Sequence, residues 1–215
     1  MTVAREGLPI IFAVMFAAAV MLGVGYVLSS YVLIIVGWAG VVLTAANFFF
    51  FREPQFEAVW SDGQILSPAD GKVIVVDDQV PEGLSGLSQR VSIFLSIFDC
   101  HVNMIPTAGR IDRAVYRSGK KISAFRPRAS EENQRSEIDL ITSRGRIHFR
   151  QIVGSVARRV VFDLKAGQEV SAGQRFGVMR FGSRMDVFLP PDVSVRVKVG
   201  DRVKGGRSLI GEFRV

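Results

Sequence analysis

A Gly-Ser bond lies between apolar stretches at Gly182-Ser183, within Arg180-Phe181-Gly182-Ser183-Arg184-Met185-Asp186-Val187-Phe188-Leu189-Pro190-Pro191. Gly182 has no side chain, so its carbonyl is open to approach and its dihedrals are unrestricted. The Ser183 hydroxyl reaches that carbonyl through a five-membered ring. Attack moves the acyl group from nitrogen to oxygen and gives an ester. β-Elimination then splits the chain, and the dehydroalanine left behind hydrolyses to a pyruvoyl group and ammonia. The serine proton must first pass to a base, and a carboxylate must orient that base. A lone Gly-Ser pair is equally an ordinary turn.

Bases are scarce, because the chain has two histidines. His101 sits in Phe98-Asp99-Cys100-His101-Val102-Asn103-Met104-Ile105-Pro106, after the apolar run Val91–Phe98, where a strand runs into a loop. Loops held by rigid strands commonly carry catalytic groups. His148 alternates with apolar residues in Arg146-Ile147-His148-Phe149-Arg150 and reads as a structural histidine on a strand face. The candidate carboxylate is Asp70, in Leu66-Ser67-Pro68-Ala69-Asp70-Gly71-Lys72-Val73, where Asp-Gly is also a common turn pair. On the residues alone the turn reading of Asp70 stands ahead of the catalytic one.

These residues must be positioned by strands. From Ser61 onward, short β-prone runs alternate with Gly, Pro and Asp turns, at Lys72–Val76, Val91–Phe98, Ile138–Thr142, Ile147–Val153 and Val193–Val199. Residues 164–176 match residues 197–209 at an offset of 33, with the lysine, both glycines and the apolar positions in register. Two such hairpins related by a pseudo-twofold predict a β-sandwich-like domain, β-rich within the α+β class. Lipoyl and biotin carriers share the pattern but need a lysine at a tip between the repeats. The tract around Ser183 has none.

Before the domain come two apolar stretches, Leu8 to Ser30 and Tyr31 to Phe51, each long enough to span a bilayer as a helix. Gly23, Gly25, Ser29 and Ser30 are the expected turn of a helical hairpin, spanning or re-entrant. Residues 1–51 are thus expected to anchor the chain, and residues 52–215 to form the functional domain. The only charges before Arg52 are Arg5 and Glu6, so the whole net charge of +7 belongs to the later part. Arginines at both ends of the hairpin place those ends, and the domain, on the cytoplasmic face of the cell membrane. A basic domain without a nucleic-acid motif beside such a segment points to anionic lipid. The single cysteine, Cys100, excludes an intramolecular disulfide and reads as a small buried hydrophobe.

Together these segments resemble the phosphatidylserine decarboxylase family, in its short form with an N-terminal anchor. The resemblance runs from about Phe51 to Leu189. Ser67-Pro68-Ala69-Asp70-Gly71-Lys72-Val73 is similar to the family's aspartate segment, and Phe98-Asp99-Cys100-His101-Val102-Asn103 to its histidine segment. Ala129-Ser130-Glu131-Glu132-Asn133, Gln151-Ile152-Val153-Gly154 with Ala157-Arg158-Arg159, and Gly173-Gln174-Arg175-Phe176-Gly177 follow in family order, ending at the cleavage site Gly182-Ser183. Each segment alone is weak; their common order is specific. Two departures stand out. Arg184 replaces the threonine that many members carry, and the tract before the Ser-Glu-Glu-Asn signature is the basic Phe125-Arg126-Pro127-Arg128.

The resemblance implies that Ser183 becomes a covalent pyruvoyl cofactor, with His101 as base and Asp70 orienting it. It implies two products, residues 1–182 and 183–215, that remain together as a heterodimer and could assemble further. The pyruvoyl carbonyl would serve as electron sink for decarboxylation of phosphatidylserine to phosphatidylethanolamine and CO2, without a metal. His101 would also return the proton. A related seryl phospholipid, such as an archaeal-type ether lipid, would suit the same residues. A membrane-tethered β-sandwich binding module without catalysis would explain the anchor and the repeat, and would leave Asp70, His101 and Ser183 as unrelated turns.

Overall fold

A computed structural model of the chain describes residues 2–53, 58–155, 160–179 and 183–214. Arg180, Phe181 and Gly182, and the Ala157-Arg158-Arg159 segment, lie outside the described residues. The chain divides into two compact units, Met1–Gln55 and Phe56–Val215.

The first unit is a helical hairpin. Strand β1 (Thr2–Val3) leads through a single 3-10 turn, Arg5–Gly7, into α1 (Leu8–Val27) and α2 (Tyr31–Phe50), and β2 (Arg52–Glu53) closes it. Both helices are long and apolar enough to cross a membrane. Their 20 residues each give about 30 Å of length. β1 pairs antiparallel with β2, which holds both ends of the hairpin on the same side. Small residues let the helices approach: a Cβ on Gly37 would lie 2.6 Å from Leu22, and one on Gly40 would lie 2.8 Å from Ala18. The turn is Leu28–Ser30, with Ser29 at φ 49°. Gly23 and Gly25 lie inside α1 and are not the expected turn; a Cβ on Gly25 would meet Ile34 and Leu33 at 3.0 Å, so that glycine serves packing.

The second unit is β-rich. In chain order it contains β3 (Gln64–Leu66), β4 (Gly71–Asp77), β5 (Gln89–Leu95), β6 (Val102–Met104), β7 (Gly109–Arg117), the short helix α3 (Ala129–Glu132), β8 (Arg135–Thr142) and β9 (Gly145–Ile152). It continues with β10 (Val160–Phe162), β11 (Glu169–Val170), β12 (Arg175–Met179), β13 (Ser183–Leu189), β14 (Val193–Val195), β15 (Arg202–Val203) and β16 (Leu209–Phe213). An eight-stranded sheet runs β11-β7-β8-β9-β13-β5-β4-β15, and two three-stranded sheets run β10-β12-β6 and β14-β16-β3. One apolar core joins them, with Ile93, Leu95, Met185, Val187, Ile138 and Phe149 from the large sheet against Ile65, Phe176, Met179, Ile210 and Phe213 from the small ones. Strand alternation puts one side chain in two on this inner face.

The repeat extends further than residues 164–176 and 197–209. Gly167 and Gly200 take φ of +84° and +103°, and Gly173 and Gly206 take +72° and +68°, so each copy turns at the same two glycines. The copies do not pair with each other. β11 caps one edge of the large sheet against β7, and β15 caps the other against β4. Their partners are themselves related, by 38 residues. Leu66 donates to the Pro68-equivalent carbonyl of Pro106 (2.7 Å), and Met104 donates to that of Pro68 (2.9 Å), so the two halves clasp across the pseudo-twofold. Phe213 N–H to Gly63 O (2.9 Å) and Met179 N–H to His101 O (3.0 Å) are the same bond in the two halves.

Candidate active site

Ser183 opens β13, a central strand bonded to β5 on one side and β9 on the other. It faces Leu95 in register and belongs to the inner row that continues with Met185, Val187 and Leu189. Its hydroxyl is fully buried and has no hydrogen-bond partner among the described residues. Leaving a buried hydroxyl unsatisfied costs about 1–3 kcal/mol. Such a group on an apolar face points to use rather than to folding.

The topology brings His101 to the same place. β5 pairs with β13, and β6 pairs with β12. Residues 96–101 connect β5 to β6, and residues 180–182 connect β12 to β13, so two segments span the same pair of sheets. His101 ends the first of them, and its carbonyl accepts from Met179, the last residue before the second. The ring is buried (2% exposed), with Nδ1 2.9 Å from the Asp99 carbonyl. A carbonyl only accepts, so Nδ1 carries the hydrogen in the neutral ring and Nε2 carries the basic lone pair. Asp99 is in turn fixed by Ser96, which donates through N (2.9 Å) and Oγ (2.8 Å).

Asp70 stands at the same end of the sheet. Lys72, Phe94 and Arg184 form one row across β4, β5 and β13, so Gly71 and Ser183 flank β5 roughly 10 Å apart. The Asp70 carboxylate accepts from Gly205 N–H (2.8 Å) and Lys204 Nζ (2.9 Å), while the His101 ring is held through Asp99. The position equivalent to Asp70 in the other half is Ala108, and the equivalent of His101 is Gly63. The clasp therefore needs neither side chain, and each is an addition to a different half, Asp70 to the first and His101 to the second.

Further polar residues support the site, and the sequence offered no signal for their partners. Buried Asn103, two residues after His101, accepts from Gln151 Nε2 (2.7 Å), and Gln151 accepts from Ser136 Oγ (2.9 Å). Asn133 of the Ser-Glu-Glu-Asn signature donates to Ile122 O and Val153 O (both 2.7 Å) and accepts from Ile122 N–H (3.1 Å), tying the preceding loop to the Ser183 end of the sheet. Arg184, pointing to the outer face, is 1% exposed and donates to Asp186 (2.5 Å) and Ser92 (2.8 Å). Ser130 donates to the other Asp186 oxygen (2.5 Å). The residue after Ser183 is thus locked on the outer face while Ser183 faces inward.

That outer face also holds His148, which is fully buried. Its Nδ1 donates to Asp139 (2.9 Å), and its Nε2 accepts from Arg150 Nε (3.0 Å), so both nitrogens are occupied structurally. Burial pushes the His148 pKa down from 6.5. Asp139 also accepts from Arg113 and Arg146; burial alone would raise its pKa, but these bonds and that of His148 hold it well below the usual carboxylate range. Below about pH 6.5 the unfolded chain takes up a proton at His148 that the folded protein refuses, so stability should fall with pH by at most about 1.4 kcal/mol per unit. His148→Gln should flatten that slope in denaturation curves. Asp139→Asn, which leaves the buried His148 Nδ1–H and the partly exposed Arg113 and Arg146 without their carboxylate, should lower stability by about 1–3 kcal/mol.

A groove lined by Asp78, Val80, Leu87, Ser88, Gln89, Pro191 and Arg214 lies at the opposite end of β5 and β13 from Ser183 and contains no histidine. His101 and Ser183 lie together at the end where β13 begins. Residues 43–211 match the family described as phosphatidylserine decarboxylase, a span that includes Asp70, His101, Asn133 and Ser183 in one fold. The chain belongs to the phosphatidylserine decarboxylase family and is an enzyme, a carboxy-lyase of phospholipid biosynthesis.

Proposed function

We propose that the chain cuts itself between Gly182 and Ser183 and decarboxylates phosphatidylserine with the pyruvoyl group so formed. The observation that carries this is the buried Ser183 hydroxyl at the start of β13, which has no hydrogen-bond partner among the described residues. Its surroundings suit a small ketone: Cβ is kept as a methyl, Oγ leaves with the Gly182 carboxylate, and the ketone oxygen takes the place of the nitrogen, so no hydroxyl donor remains on the apolar face. His101 Nε2 takes the Ser183 proton, with Nδ1–H held by the Asp99 carbonyl. Ser183 Oγ bonds to the Gly182 carbonyl carbon, the peptide C–N bond breaks, and the nitrogen leaves as ammonia after elimination and hydrolysis. Asp70, with Lys204 as counter-ion, supplies the carboxylate at the rim of the same site.

The pyruvoyl group supplies the carbonyl electron sink for loss of CO2 from the serine headgroup. His101 then returns a proton to the headgroup carbon as a general acid. The two products stay together because the smaller one contributes β13 and β16. β13 is bonded on both sides to strands of the larger, and β16 pairs with β3. The apolar hairpin holds the enzyme at its diacyl substrate, which leaves a bilayer at a cost of about 0.8 kcal/mol per CH2. Arg5 and Arg52, at the two joined ends of the hairpin, orient the domain to the cytoplasmic face.

An intact mass spectrum under denaturing conditions tests the proposal. Chains 1–182 and 183–215 are expected, the smaller lighter by one ammonia than a peptide starting with serine. A single full-length mass in an active preparation would sink it.

A further inference from the structure

The rim around the Ser183 end of the sheet is both apolar and basic. Ile97 and Phe98, in the loop between Ser183's partner strand β5 and His101, are 53% and 71% exposed. Phe125 is 63% exposed and packs edge-on against Phe94 of β5, with ring centroids 5.7 Å apart. Phe94 lies opposite Arg184, so Phe125 is held one register position from Ser183. The loop that carries Phe125 is pinned to this end of the sheet by Asn133.

Residues 117–128 contain five cations and no carboxylate. Lys120 and Arg117 pair with Glu132 and Glu137. Lys121, Arg126 and Arg128 are exposed and make no ion pair among the described residues. The nearby carboxylates of Asp70 and Asp99 are met by Lys204 and Arg202. Three large exposed apolar side chains from two loops, with three unneutralised cations in the loop that carries Phe125, match the interface of an anionic bilayer: apolar groups enter the acyl boundary while cations meet phosphates. A protein groove or a nucleic acid would call for a concave surface or stacked aromatics, and these side chains project from separate loops.

We propose that Ile97, Phe98 and Phe125, with Lys121, Arg126 and Arg128, dock the domain onto an anionic lipid surface and so set the Ser183 end of the sheet against the bilayer. The inference rests on the proposed reading in one respect, that this end is where lipid must enter. The contact itself needs neither chain cleavage nor turnover.

The test is amide hydrogen exchange on the full chain in lipid nanodiscs. One set contains phosphatidylcholine alone, and the other adds phosphatidylglycerol, which is anionic and has no amine to react. Exchange across residues 96–98 and 121–128 should slow roughly tenfold or more in the anionic discs, given about fivefold per cation near the surface. Lys121→Glu, Arg126→Glu and Arg128→Glu together should abolish the difference, and Phe98→Ser with Phe125→Ser should reduce it. The β13 amides serve as the folding control in each variant. Equal exchange of both segments in the two discs would overturn the proposal. So would a slowing that survives the charge reversals. Either result leaves the mass test of cleavage untouched, and a single uncleaved mass leaves this one untouched.

Discussion

Ser183→Ala should give one full-length chain with no decarboxylase activity above background. The hydroxyl is the only atom removed, and among the described residues it bonds to nothing. Its loss therefore breaks no network. Removing an unsatisfied buried hydroxyl from an apolar face is neutral or stabilising by about 1 kcal/mol. The inward row of Leu95, Met185 and Val187 tolerates a methyl in place of a hydroxymethyl. The variant should thus fold, keep an unchanged or raised melting temperature, and run as one mass. Loss of cleavage and activity together, in a folded chain, separates a chemical role for Ser183 from a structural one. A cleaved and active Ser183→Ala enzyme would remove the residue from the mechanism.

Legibility varied with how local each signal was. His101 and Ser183 stood out because each sits in a short tract with few competing chemistries, and the register of β5 with β13 and β6 with β12 brings those tracts together. Asp70 could be named as a carboxylate but not placed. Its partners Lys204 and Gly205 lie 134 and 135 residues away in sequence, and the bond depends on which edge of the sheet the second repeat caps. The repeat was half visible. Residues 164–176 and 197–209 share glycines that demand the same positive φ, and that constraint keeps the sequences alike. The equivalent tracts Ser67–Val73 and Ile105–Ile111 keep only a proline, a glycine, a basic residue and an apolar end, because their bonds run through backbone atoms that any residue supplies. The helical hairpin was legible from composition. Its turn was misplaced because Gly23 and Gly25 look like turn residues, and Gly25 in fact admits a close helix contact. On the outer face the alternation around His148 showed a structural histidine on a strand and nothing more. The bonds from Ser130 to Asp186 and from Arg150 to Glu131 join elements that the sequence does not bring together.

His101→Ala should slow the cut at Gly182–Ser183 by roughly 10²–10⁴-fold, the range in which a positioned acid-base group contributes. The structure sharpens the comparison, because the chain's other histidine is equally buried but differently employed. Both nitrogens of His148 are spent on Asp139 and Arg150, so His148→Gln should lose stability and still cut. His101 bonds through Nδ1 to a backbone carbonyl, so Nε2 is the nitrogen that carries the basic lone pair. Asp70→Asn should have a smaller effect than His101→Ala, since its described bonds go to Lys204 and Gly205 and an amide oxygen can keep the second. A time course by mass spectrometry, started from freshly translated chain, ranks the three. Slow cutting in His101→Ala with prompt cutting in His148→Gln assigns the base. Prompt and complete cutting in His101→Ala would transfer that role to another group at this end of the sheet, and the Asp70 carboxylate, just before β4, would be the first to examine.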